Sequence, residues 1–145
     1  HAFIGHDLVS LANVQLDRAR YTSAEANVRE AMAIYKEALP GDHPYMASAL
    51  AALGRAQLGQ GRAQEAEQTL RQAISIAEKT LAADSGPITV AKSALGQALY
   101  AQRRGGEAVP LLRESYPGLV RSQGKDAVVT RQTRDLLSQI EAEKK

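Results

Sequence analysis

The 145-residue chain has no cysteine, no tryptophan and a single phenylalanine. The missing cysteines exclude a disulfide scaffold, a thiolate zinc site and a cysteine nucleophile together. No apolar stretch approaches the roughly 18 residues that a membrane span needs, so no bilayer crossing is expected. Neither sign of charge dominates: 18 Lys+Arg stand against 16 Asp+Glu, a formal charge of +2 without a long block of one sign. Such a balance is a poor basis for holding nucleic acid. The opening HAFIGHDLV shows neither the basic region nor the cleavage site of a secretory leader, so a cytoplasmic location is the expectation. A start at His1 reads as a segment of a larger protein, and the apolar Phe3-Ile4 as a hint of further repeats ahead of it.

What the chain does have is helix-forming material. It contains 26 Ala and 16 Leu, with 44% apolar and 23% charged residues overall. Ala, Leu, Gln, Glu and Arg favour helix, and strand-favouring aromatic and β-branched residues are few. Length and composition fit one soluble domain able to bury a core without metal or disulfide support. An almost wholly helical protein is expected.

An internal repeat organises it. Ala24-Glu25-Ala26-Asn27-Val28-Arg29-Glu30-Ala31 matches Ala66-Glu67-Gln68-Thr69-Leu70-Arg71-Gln72-Ala73 in residue type, 42 positions later. A further 42 positions on stands Ala108-Val109-Pro110-Leu111-Leu112-Arg113-Glu114-Ser115. The same shift carries Leu11-Ala12 onto Leu53-Gly54, Leu95-Gly96 and Leu137-Ser138, and Asp42 onto Asp84 and Asp126. Self-similarity of this period is the mark of a stacked array. Each unit reads as two helices. In the second, Pro44 opens a helix through Leu50, Leu53 and Leu58, Gly59-Gln60-Gly61 breaks it, and a second helix runs from about Ala63 to Leu81. The units span about 4–40, 41–82 and 83–124. Pro117 should kink or stop the last second helix, and Asp126 should cap a final helix over about 127–143. Seven helices are expected.

The small residue after Leu in the first helix, with Ala twelve positions later, resembles the tetratricopeptide repeat (TPR). Its columns here are Leu53, Gly54, Ala66, Leu70 and Ala73, preceded by Leu11, Ala12, Ala24, Val28 and Ala31. Gly41-Asp42-His43-Pro44, Gln60-Gly61-Arg62 and Ala73-Ile74-Ser75-Ile76 resemble the long-helix repeats of kinesin light chain and of many bacterial multidomain proteins. The resemblance implies an all-α, right-handed solenoid of antiparallel helix pairs, three units and a capping helix, forming one repeat domain. Ala12, Gly54 and Gly96 would let paired helices approach, with Leu11, Leu53 and Leu95 filling the gap against Val28, Leu70 and Leu112. This chain departs from the family where Ala51-Ala52 and Ser93-Ala94 replace paired Asn, so peptide contacts made by those Asn are not expected here.

Catalytic chemistry has no foothold. There is no phosphate-cradling glycine loop, no H-E-x-x-H and no nucleophile elbow. His43 belongs to a turn or cap. Glu25, Glu30, Glu37, Glu65 and Glu67 read as exposed partners of Arg29, Lys36 and Arg71 rather than as paired catalytic carboxylates. Arg103-Arg104 is too short for a nucleic-acid patch and has no aromatic platform beside it. No enzyme activity, cofactor or metal is expected. In the frame of the resemblance, the concave groove would be lined by Asn13, Arg55, Gln97 and Gln139, with Ser93 and the aromatic anchor Tyr100. The expected function is a scaffold binding a protein or peptide partner there. The alternative is a regulatory or self-association module of a larger kinase- or regulator-type protein, contacting through the array ends. RNA binding is disfavoured by the absence of a basic face.

Overall fold

The computed structural model describes residues 1–82 and 85–144 and contains no strand among them. Asp84, the middle member of the aspartate column, lies outside the described residues. Seven helices are described: α1 (Ala2–Asp17), α2 (Tyr21–Ala38), α3 (Pro44–Gly59), α4 (Ala63–Thr80), α5 (Gly86–Ala101), α6 (Gly105–Gln123) and α7 (Val128–Glu143). Odd-numbered helices start at 2, 44, 86 and 128, and even-numbered ones at 21, 63 and 105, so the period of 42 is carried into the backbone. The architecture is an all-α solenoid. Each helix packs on its neighbours in chain order, and α1, α3, α5 and α7 also touch in succession.

The columns explain why the pairs close. A Cβ on Gly54 would lie 2.4 Å from Leu70 Cγ, and one on Gly96 2.8 Å from Leu112, too near for real atoms. At the same register α1 carries Ala12, and the facing residue of α2 shrinks to Val28. Two sizes of knob are thus matched by two sizes of hole, as close packing requires. Leu53, Leu70, Leu95, Leu112 and Val28 are all buried. Leu11 departs from that column: it is 49% exposed, where Leu53 is 4% exposed. Leu53 and Leu95 follow earlier helix pairs that shield them, and no described pair precedes α1.

The turn inside each pair is the same structure three times. Arg20, Arg62 and Arg104 donate their backbone N–H to Gln15, Gln57 and Leu99 carbonyls at 2.8, 2.9 and 2.9 Å. That six-residue closure places the preceding residue in the left-handed region: Ala19 at φ 58°, Gly61 at 79° and Arg103 at 63°. Only the middle unit supplies the glycine that makes this conformation inexpensive.

Two terminators behave differently from the sequence expectation. Helix α6 does not stop at Pro117; it continues to Gln123, capped by Gly124 at φ 90°. Packing holds it: Ser115, Gly118 and Leu119 are buried, and a Cβ on Gly118 would meet Thr89 Cγ2 at 2.3 Å. Pro117 forfeits its own hydrogen bond, but the buried contacts on either side outweigh that loss. Asp126 is not the cap of α7. The N-cap is Ala127, without a side-chain bond, and the helix is held instead by Val129, Thr130, Thr133 and Ile140 against the array. His43 does cap α3, its Nδ1 accepting from the Tyr45 N–H at 3.1 Å.

Candidate functional site

The first helices of the pairs line one side of the array, and the groove there is built on α3. A cleft of about 210 Å³ has Asn13 and Asp17 of α1 on one wall and Ser48, Ala51, Ala52 and Arg55 of α3 at its floor. Gly86, Pro87 and Val90 of α5 and Ala127–Val129 at the start of α7 form the far wall. A smaller cleft of about 60 Å³ continues it past Arg55 to Gln97 and Gln132, between Tyr21, Leu58 and Gly59. A Cβ on Gly59 would sit 2.3 Å from the Tyr21 ring, so this glycine is what admits Tyr21 to the wall.

Arg55 is shared by both clefts and is the electrostatic centre of the groove. Its side chain is 14% exposed, and Nη2 donates to Asp17 Oδ1 at 3.2 Å. Burial lowers the guanidinium pKa and Asp17 opposes that shift, so the group stays charged. A guanidinium carries five N–H donors, and Asp17 is its one hydrogen-bond acceptor among the described residues. Arg55 lines both clefts, the larger with Asn13 and the smaller with Gln97. The volume is below the roughly 300 Å³ at which small-molecule and cofactor pockets begin, and it suits one or two peptide side chains. The chemistry on offer is hydrogen-bond donation to a carbonyl or carboxylate.

Not every expected groove residue joins it. Asn13, Arg55 and Gln97 come together. Tyr100 and Gln139 form a separate cluster at the far edge, where Tyr100 Oη donates to Glu143 Oε1 at 2.5 Å and accepts from Gln139 Nε2 at 3.0 Å. The bond to Glu143 holds the Tyr100 phenol pKa above its usual value. Tyr100 and Glu143 line a cleft with Ala101, Arg103, Gly105 and Ile140, apart from Arg55. Ser93 is a correction. It is fully buried and hydrogen-bonded to Thr133 of α7, so it presents nothing to a ligand. Val9 and Ala51 in the same register are buried too, although Ala51 still lines the floor of the cleft.

The acidic residues also differ from their sequence reading. Glu25 and Glu67 do bond Arg29 and Arg71 four residues on, but both are largely buried and tie successive units together. Glu25 accepts from Gln60 at 2.9 Å and Arg62 at 3.0 Å; Glu67 accepts from Gln102 at 3.0 Å and Arg104 at 2.8 Å. The Gln60 bond, with those from Arg29 and Arg62, lowers the Glu25 pKa against the effect of burial. In Glu67 burial is the largest influence and pushes upward, but the bonds from Arg71, Gln102 and Arg104 carry the pKa below the usual value. The repeat itself carried this signal: Glu25 and Glu67, like Arg62 and Arg104, recur 42 apart.

A second surface escaped the sequence reading. A cleft of about 720 Å³ lies between the first two pairs, with Met32, Leu39, Met46, Leu50 and Ile76 as its apolar lining and Arg29, Lys36, Asp42 and Gln72 as its polar lining. One repeat on, Lys92 stands in place of Leu50 and its Nζ reaches Glu114 Oε1 at 2.8 Å across the corresponding cleft. No group of three or more His, Asp or Glu able to hold a metal occurs among the described residues. No described helix is long and apolar enough to cross a membrane.

Comparison with known proteins points the same way. A tetratricopeptide repeat family model matches residues 8–79. A TPR-like protein from Chlorobium tepidum superposes with a TM-score of 0.75 at 21% identity, over 95% of this chain and 94% of that one. A kinesin-light-chain-like protein of nearly identical TPR-like repeats from Podosopora anserina gives 0.74 at 22% identity, over 97% of this chain and 66% of its own. BtubC (BKLC) from P. vanneervenii gives 0.73 at 17% identity, over 98% and 56%. At these identities the likeness is one of fold. No curated protein matches the sequence.

Proposed function

Since the chain belongs to the tetratricopeptide repeat family, whose members generally serve as non-catalytic scaffolds for other proteins, we propose that it binds a peptide or protein segment in the groove centred on Arg55. The observation that carries this reading is Arg55 itself: a nearly buried cation paired with Asp17 alone among the described residues, lining one cleft with Asn13 and the next with Gln97. Burial is costly for a charge unless it is paired. A partner carbonyl or carboxylate would supply the acceptors that Asp17 does not.

The test is capture from source-cell lysate by the chain and by an Arg55→Ala, Gln97→Ala variant of matched helicity. A partner held by the first and lost by the second supports the groove. Tyr100→Ala serves as the control and should retain the partner, because Tyr100 lies outside these clefts. Equal capture by all three baits would overturn the reading. The size and apolarity of the cleft at Met32, Leu39 and Met46 favour it as the second candidate surface, and Met32→Gln would then be the variant that loses the partner.

A further inference from the structure

Clefts lie at equivalent places between the first and second and between the second and third helix pairs, and their linings differ in kind. The first, supplied by α2, α3, α4 and the link between the first two pairs, contains buried Leu50 and Ile76 and half-buried Met32, Leu39 and Met46. One period on, Lys92 replaces Leu50, Glu114 replaces Gln72 and Glu78 replaces Lys36. There Lys92 Nζ donates to Glu114 Oε1 at 2.8 Å, so a charge pair spans the second cleft where the first has an uncharged pair. The first is also the larger, about 720 Å³ against about 560 Å³.

The charges of the first cleft are not balanced. Arg29 is held by Glu25, and Asp42 by Lys79. Lys36 is exposed and has no ion-pair partner among the described residues. Arg29, Met32 and Lys36 follow one another at spacings of three and four, which puts them on one face of α2. The two cations are two helical turns apart, about 10 Å along the axis. Both methionines of the chain line this cleft. Their unbranched, polarizable side chains adapt to the shape of whatever packs on them, as receptive apolar surfaces require.

We propose that this cleft docks an acidic amphipathic helix of a partner protein. Its leucine, methionine or phenylalanine side chains pack on Met32, Leu39 and Met46, and a carboxylate on the same face meets Lys36, in the manner of a helix laid in a groove. A basic segment would meet Arg29 and Lys36 with Asp42 already paired, and is disfavoured. The next cleft, with Glu78 in place of Lys36, repels the same helix. None of the residues lining this cleft lines those at Arg55, so the docking stands or falls apart from the groove reading.

The test is selection of a random peptide library on the whole chain, with enriched peptides synthesised, labelled and titrated by fluorescence anisotropy. Enriched peptides should combine Asp or Glu with Leu, Met or Phe at helical spacing, and should bind less tightly as salt rises. Lys36→Glu, which copies the next repeat, should weaken them about fivefold, the upper range of an exposed ion pair. Leu50→Lys with Gln72→Glu copies the Lys92–Glu114 bridge into the first cleft and should weaken them about tenfold or more, since buried apolar anchors dominate affinity. If thermal melts show that double variant unfolded, Met32→Gln at a half-buried position replaces it. Arg55→Ala with Gln97→Ala should leave these peptides bound. No enrichment, enriched peptides without acidic residues, or acidic peptides indifferent to Lys36→Glu and Met32→Gln would each overturn the proposal. A selection yielding only peptides that Arg55→Ala releases would assign recognition to the groove and overturn it as well. So would a chain dimer dispersed by Lys36→Glu and displaced by no peptide, which would give the cleft to a second copy.

Discussion

The first and second helix pairs carry the same pattern in different surroundings. Leu11 and Leu53 occupy one register, yet one is half exposed and the other buried. Ala12 faces Val28 where Gly54 faces Leu70, and Ala19 takes the left-handed turn position that Gly61 takes 42 residues later. Arg20 has no ion pair among the described residues, and Arg62 has two. A buried residue in an array is held by its own unit and by the unit before it. The first pair has no described unit before it and the second has one, so the exposure of Leu11 against the burial of Leu53 reports what the preceding unit covers.

The largest expected effect breaks the comparison at the leucines. Leu53→Ala should cost about 2–5 kcal/mol, the usual price of truncating a fully buried leucine. Leu11→Ala, on an exposed face, should stay within about 0.5 kcal/mol. Urea unfolding of both variants checks this, and equal losses would mean that α1 is covered in solution. A middle-sized effect tests the knob and hole. Gly54→Ala should destabilise by about 1–3 kcal/mol through overpacking against Leu70. Adding Leu70→Val reproduces the Ala12–Val28 pairing of the first unit and should return part of that loss; a strictly additive double mutant would refute size matching. The smallest effect concerns the turns. Ala19→Gly should stabilise, and Gly61→Ala destabilise, each by about 1 kcal/mol or less, because a left-handed residue with a Cβ carries a steric cost of roughly that order. Matched thermal melts would show both shifts, and shifts of the same sign would contradict the shared turn geometry.

The fold was legible because its determinants are local. Helical spacing, Pro44 at the first and Pro87 at the second position of their helices, Gly124 past the end of α6, and the recurrence of Leu-Gly and Ala columns all lie within a few residues of what they control. The groove was legible in part. Asn13, Arg55 and Gln97 follow from helix register once the outward face is known, and they do share one surface. Ser93 could not be placed that way, because its burial depends on Thr133, 40 residues later. Tyr100 was drawn off by Glu143 and Gln139 at the end of the array. The apolar cleft around Met32 and Met46 has no motif, since it forms between two pairs and belongs to neither.

From the sequence alone came the period of 42, the helix count, and the positions held to glycine or alanine where paired helices approach. These are properties of φ, ψ preference and of side-chain size at fixed intervals, which any one segment carries with it. The tertiary structure alone decided that Leu11 is exposed and Leu53 is not, that α6 runs through Pro117, and that Glu25 and Glu67 clamp successive units. Each of those outcomes depends on which helix lies alongside, and burial, unlike helix propensity, is a property of a residue's neighbours.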